Sequence, residues 1–107
     1  MKQSYVIVIT TTDSEEVAER ITQTLLEENL AACIQHYPVK SSYRWEGKIV
    51  HDKEILLQIK SKKQLIPKIE AKILSLHNYE IPEILAIPVT HGYEAYLKWI
   101  DSETKGF

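Results

Sequence analysis

Apolar residues recur along this chain in two rhythms, one of two residues and one of three to four. Tyr5 to Thr11 is a short β-branched run and predicts a strand. Asp13 is then placed to cap a helix, with Glu16 three residues on to complete a capping box. Val17, Ala18, Ile21 and Leu25 form one apolar stripe, which carries that helix to about Glu28, and Asn29 suits the left-handed residue that ends it. From Leu30 to Ser61 the rhythm changes. Two extended runs flank Glu46-Gly47, and Gly47 is the only glycine before position 92, so a tight reversal is predicted there. Each run is about twice the usual strand length of roughly 5–6 residues.

The phase of the ribbon decides what it needs. A two-residue loop pairs Trp45 with Lys48, Tyr43 with Val50 and Tyr37 with Leu56. Tyr37, Val39, Tyr43, Trp45, Val50 and Leu56 then share one face, while Ala32, Ile34, Ile55, Leu57 and Ile59 take the other. Both faces are apolar. The chain's own helices can cover one of them, and the aromatic face is left for a second copy. A bulge near Pro38 or Asp52-Lys53 is the alternative, because it would flip the phase and return these residues to one core.

A second helix is predicted from near Lys63, since Pro67 fits only in a first turn, with Leu65 or Ile66, Ile69, Ile73 and Leu76 as its stripe. His77-Asn78-Tyr79 breaks it, and Ile81 to Val89 reads as a fourth strand with Pro82 and Pro88 near its ends. Ala95, Tyr96, Trp99 and Ile100 mark a short C-terminal helix, followed from Ser102 to Phe107 by a loose tail. The order β-α-β-β-α-β plus a terminal helix makes two interleaved βαβ halves. That is an α+β, ferredoxin-like plan: a four-stranded antiparallel sheet with helices on one face, a long ribbon and an extra helix. No linker or second domain interrupts residues 1–107.

Composition narrows the function. Hydrophobic content of 44% and charged content of 26% are those of a globular domain, and one cysteine cannot close an internal disulfide, which points to a cytoplasmic protein. A net charge of −2 argues against nucleic acid or an acidic membrane as partner. No apolar run approaches a membrane span, and Met1 to Ser4 leads into the first strand without a signal-peptide core. The third strand, Glu54 to Lys60, lacks the aromatics that RNA-recognition domains of this plan display.

Catalytic patterns are absent: there is no Ser/His/Asp order, glycine-rich phosphate loop or paired-carboxylate arrangement. An acylphosphatase-type enzyme on this plan needs an arginine-bearing loop after the first strand, and Thr10-Thr11-Thr12-Asp13 has none. Cys33 beside Ala31 and Ala32 reads as a small core residue or as a ligand. His36 and His51 read as solvated ribbon residues, and His91 as a local structural one. His77 to Glu83 packs an imidazole, a phenol and two carboxylates into a helix-to-strand turn, where a site and a simple dipole-compensating histidine are both open readings. Asp52 and Glu54, with Lys48 and Lys60, read either as site residues or as charges guarding a strand.

Several segments together resemble the CutA divalent-cation-tolerance family. They are Leu30-Ala-Ala-Cys33, Tyr43-x-Trp45-x-Gly47-Lys48-Ile49, Asp52-x-Glu54-x-Leu56-Leu57-x-Ile59-Lys60, His77-x-Tyr79-Glu80-x-Pro82-Glu83-Ile84 and Tyr96-Leu97-x-Trp99. The resemblance spans residues 4 to 101. It implies a non-enzymatic, cytoplasmic homotrimer, similar in plan to the nitrogen-regulatory PII signalling proteins, with Tyr37, Val39, Tyr43 and Trp45 at the trimer interface. It further implies a role in tolerance of copper and other divalent metals, no obligatory cofactor, and an interface pocket around Trp45, Asp52, Glu54, Lys60, Tyr79 and Trp99. Cys33, His77 and Glu83 are the implied metal ligands, and copper, another divalent cation or a small molecule the implied ligand. Some bacterial members carry a cysteine at the end of the first strand and a His-His pair before the tyrosine. Thr10 and Leu76-His77 stand there in this chain, so one of those three ligands is present. The competing expectation is a trimeric PII-like signalling or protein-interaction module with no direct metal role.

Overall fold

The computed structural model describes residues 4–106. Its elements are β1 (Tyr5–Thr12), α1 (Glu15–Glu27), β2 (Cys33–Trp45), β3 (Lys48–Lys62), a 3-10 turn (Lys63–Leu65), α2 (Ile66–Leu76), β4 (Ile84–Pro88) and α3 (Glu94–Glu103). The sheet runs β2-β3-β1-β4 and every pairing is antiparallel. This is the expected ferredoxin-like plan.

The ribbon keeps one register from Cys33 opposite Lys60 to Trp45 opposite Lys48, so no bulge resets its phase. Glu46 (φ 48°) and Gly47 (φ 79°) both lie in the left-handed region, as a two-residue I′-type hairpin turn requires, and glycine takes that region without strain. One face of the sheet carries Val6, Val8, Leu57 and Ile59, all buried under Ala18, Ile21 and Leu25 of α1 and Ile69 and Ile73 of α2. The opposite face holds Tyr37 (44% exposed), Tyr43 (39%) and Trp45 (45%), with Leu85 (56%) and Ile87 (45%) on β4.

The end of that open face nearest Lys60 and Lys62 is covered by α3. Ile100 is buried there, the Lys62 ammonium lies 3.2 Å from Asp101, and Lys60 Nζ stands 5.5 Å from the centre of the Tyr96 ring. Lys62 is itself buried, and that carboxylate supplies the partner a buried ammonium requires.

Three boundaries differ from the expected ones. Ser14, not Asp13, caps α1: its hydroxyl accepts the Val17 N–H at 3.1 Å. β1 runs on through Thr12, whose Oγ1 accepts the Ser14 N–H, and Asp13 instead accepts from the Asn78 amide at 2.8 Å. The helix therefore starts one residue later and no capping box forms with Glu16.

β4 begins at Ile84 rather than Ile81, because β1 stops offering a partner at Thr10. His77 Nε2 bonds the Thr11 carbonyl at 2.8 Å and Thr12 Oγ1 donates to Asn78 at 2.7 Å, so the 77–83 turn occupies the place where pairing would continue.

The C-terminal segment is not loose from Ser102. α3 continues to Glu103 and Thr104 is buried, its hydroxyl donating to the Ile100 carbonyl. Lys105 N–H donates to the Asn29 carbonyl at 2.8 Å, and the Asn29 amide donates to Glu103. Asn29 holds φ 55°, the left-handed conformation expected of it. Met1 to Gln3 and Phe107 fall outside the described residues.

Candidate functional site

Where β3 leaves the core, the 77–83 turn leans against the open face and encloses a cleft of about 650 Å³. Asp13, Asp52, Glu54, Glu80 and Glu83 line it together with Tyr43, Trp45 and Tyr79, and among the described residues no lysine or arginine does. A cleft of this size and mixed lining falls in the range of small-ligand sites. A larger open groove of about 900 Å³ lies between the starts of α2 and α3, but none of the nominated site residues reaches it. The chemistry favours the smaller cleft.

Two carboxylates of the cleft are each held by a phenol. Tyr43 Oη donates to Asp52 Oδ2 across the ribbon, and Tyr79 Oη donates to Glu54 Oε2 at 2.6 Å. Glu54 is buried, so its phenol partner replaces water that the carboxylate has lost. Burial and that hydrogen bond hold the Tyr79 phenol well above its usual pKa. The Tyr43 phenol is pushed up to about 12 from 10.0, first by its bond to Asp52.

The sign is fixed by the direction of the shift. The Tyr43 contribution is complete below pH 10 and is lost as pH rises through about 12. In an alkaline absorbance titration of the tyrosines, Asp52→Asn is expected to move one phenol from about 12 back towards 10.0. An unchanged titration would mean that the two groups do not interact.

His77 holds the turn rather than pointing into the cleft. Nε2–H donates to the Thr11 carbonyl, and Nδ1 accepts the Tyr79 N–H at 3.0 Å, which defines a neutral imidazole with both nitrogens engaged. Its ring lies 4.9 Å from that of Tyr79. Asn78 extends the same anchor, bridging Thr12 and Asp13.

Of the residues nominated from sequence, Trp45, Asp52, Glu54, Tyr79 and Glu83 meet in this cleft. Cys33 lies at the other end of β2, opposite Lys60, and the stacked rings of Tyr96 and Trp99 (5.6 Å between centres) belong to the α3 end of the same face. Lys60 is six residues along β3 from Glu54, about 20 Å at roughly 3.3 Å per residue. Within one chain the nominated pocket is thus divided into an acidic half and a cationic, thiol-bearing half. Among the described residues no group of three His, Cys, Asp or Glu side chains is gathered as a metal cage.

Sequence reasoning passed over Thr11, Ser41 and Asn78, and it did not couple Tyr43 to Asp52. The last of these was within reach, because the register that sets Tyr43 opposite Val50 makes Asp52 its diagonal neighbour.

Comparison with known proteins agrees with this architecture. Residues 6–103 match the CutA1 divalent ion tolerance protein family. The chain is 42% identical over 99 residues to the divalent-cation tolerance protein CutA of Thermus thermophilus, covering 92% of this chain and 96% of that one. It is 34% identical to the chloroplastic CutA of Arabidopsis thaliana, of which it spans 56%. The crystal structure of CutA1 from Pyrococcus horikoshii superposes with a TM-score of 0.90 at 40% identity, over 94% of this chain and 99% of that one. A structure from Archaeoglobus fulgidus, described as a periplasmic divalent cation tolerance protein, gives 0.92 at 36% identity over 94% and 99%. The chain belongs to the CutA1 divalent ion tolerance family.

Proposed function

We propose that this protein serves divalent-cation tolerance as a cytoplasmic homotrimer that catalyses no reaction and takes a divalent cation, copper among them, or a small ligand where subunits meet. The observation that carries the reading is the divided pocket. One open face holds an acidic, aromatic half around Glu54 and a distant half around Cys33, Lys60 and Trp99. A neighbouring copy can bring the second half beside the first, and the exposed Tyr37, Tyr43 and Trp45 supply the apolar surface for that contact. A lone free thiol fits a reducing compartment.

Donor chemistry sets the metal preference. Carboxylate and phenol oxygens in the cleft suit hard divalent ions, whereas a thiolate such as Cys33 suits Cu(I). The engaged nitrogens of His77 favour a second reading, in which the trimer is a PII-like signalling or interaction module and its link to metals is indirect.

Isothermal titration of Cu(II) into wild type, Cys33→Ser, His77→Gln and Glu83→Gln separates the two. Binding is expected in wild type and weaker in Cys33→Ser and Glu83→Gln, each of which removes a donor, while a loss in His77→Gln would mean that the imidazole leaves its turn to coordinate. Equal binding by all four would move the ligands to His36 and His51. No binding by any would leave the module reading.

A further inference from the structure

On the helix side of the ribbon, Ile55 is the residue of β3 nearest the tip that still packs against the core. From there to the turn this face carries Lys40, Ser42 and Arg44 on β2 and Ile49, His51 and Lys53 on β3, all exposed. Lys40 stands directly opposite Lys53, and like charges so paired destabilise a ribbon. Among the described residues neither lysine has an ion-pair partner, nor does Arg44. No carboxylate shares this face, because Asp52 and Glu54 belong to the cleft side and Glu46 to the turn. Ser42 bonds His51 Nδ1 at 2.9 Å, and a hydroxyl donated there leaves the imidazole proton on Nε2, free for an outside acceptor. A chain of net charge −2 thus carries an uncompensated basic ladder.

We infer that this ladder docks an extended acidic segment of another protein, one with Asp or Glu at every second residue. Rungs on one face of a strand repeat at about 6.6 Å. Lys40 with Lys53, then Ser42 with His51, then Arg44 supply the rungs, and they span about 13 Å. Alternate side chains of an extended peptide share that repeat, so successive carboxylates meet successive rungs. One carboxylate between Lys40 and Lys53 relieves their repulsion, and the Arg44 guanidinium takes another through two parallel bonds. Ile49, 66% exposed, adds an apolar contact at the tip. Nucleic acid fits this face less well. Tyr37, Tyr43 and Trp45 all lie on the other side of the ribbon, so bases find no stacking platform here. The net negative charge of the chain also repels a long polyanion more than a short acidic segment. The contact needs neither a metal nor a second copy, and so goes beyond the function proposed above.

Fluorescence anisotropy tests this with the full chain and a labelled peptide of alternating glutamate and threonine, long enough to span the ladder. Wild type should bind the peptide, and less tightly as salt rises. Lys40→Glu with Lys53→Glu is expected to weaken binding on the order of 10- to 100-fold, with far-UV circular dichroism to confirm folding. Arg44→Gln, a milder change, should weaken it by a smaller factor. Lys63→Glu with Lys105→Glu makes the same change in net charge at two exposed lysines away from the ribbon, and should bind as wild type does. A peptide of the same composition with its glutamates in one block should bind less tightly than the alternating one. Absence of binding by wild type overturns the proposal, as does equal loss in the two lysine pairs or equal binding of the two peptides. Oligouridylate held more tightly than the alternating peptide overturns it too, and makes nucleic acid the occupant.

Discussion

Wild-type protein at micromolar concentration should sediment at three times the 12.4 kDa chain mass, and Trp45→Ala should shift it towards monomer. Trp45 is 45% exposed near the tip of the ribbon and stands outside the hydrophobic core of the described residues. Taking about 100 Å² of open indole surface, its coverage by a neighbour is worth roughly 2–3 kcal/mol per copy. Three copies together give about 6–9 kcal/mol, or roughly 10⁴–10⁶ in the trimer constant. That constant scales with the square of concentration, so half-dissociation should move roughly 100- to 1000-fold. Because assembly stabilises the folded chain by mass action, the wild-type melting temperature should rise with protein concentration. Trp45→Ala should lose that dependence while keeping its secondary structure. A wild-type monomer near 12.4 kDa would refute the trimer outright.

The ribbon was readable from sequence for a physical reason. Side-chain period and hairpin length fix each other, so placing the turn at Glu46-Gly47 fixed every pair from Cys33 to Trp45. The helix stripes were equally clear, because Ile21, Leu25, Ile69 and Ile73 must all meet one sheet face. The misplaced boundaries have a different origin. Ser14 and Asp13 have equal local claims to cap α1, and the choice was made by Asn78, a residue 65 positions away that engages Asp13. The start of β4 was likewise decided by His77 and Asn78 bonding the end of β1. The docking of the chain's end, where Lys105 N–H meets the Asn29 carbonyl next to the buried Thr104, depends on Asn29, again far along the chain.

The site follows the same division. Trp45, Asp52 and Glu54 share a face by parity alone, and that grouping was available from the ribbon. Tyr79 reaches Glu54 only because the 77–83 turn is pinned to Thr11 and Thr12, which no local pattern encodes. Nor could parity show how far Cys33 and Lys60 stand from the carboxylates. That distance emerges once the strand is laid out, and it is what turns one nominated pocket into two half-sites.

The second large effect is expected from Tyr79→Phe. The change removes one hydroxyl and leaves Glu54, only 7% exposed, without its one hydrogen bond among the described residues. A buried carboxylate stripped of its donor should destabilise the protein by about 2–3 kcal/mol. On a domain of this size that lowers the melting temperature by roughly 10–20 °C, measured at one fixed protein concentration. The loss comes from the orphaned charge, not from the missing hydroxyl itself, so Tyr79→Phe combined with Glu54→Leu should recover stability to within about 1 kcal/mol of wild type. If the double change is as harmful as the two single changes added together, the phenol and carboxylate are not coupled. The freed carboxylate also has a consequence for the cleft. With its lone pairs no longer occupied by a phenol, Glu54 becomes a better ligand for a cation that can reach it. Added divalent cation should therefore raise the melting temperature of Tyr79→Phe more than that of wild type. An equal rise in both, or none in either, would mean that cations do not reach Glu54.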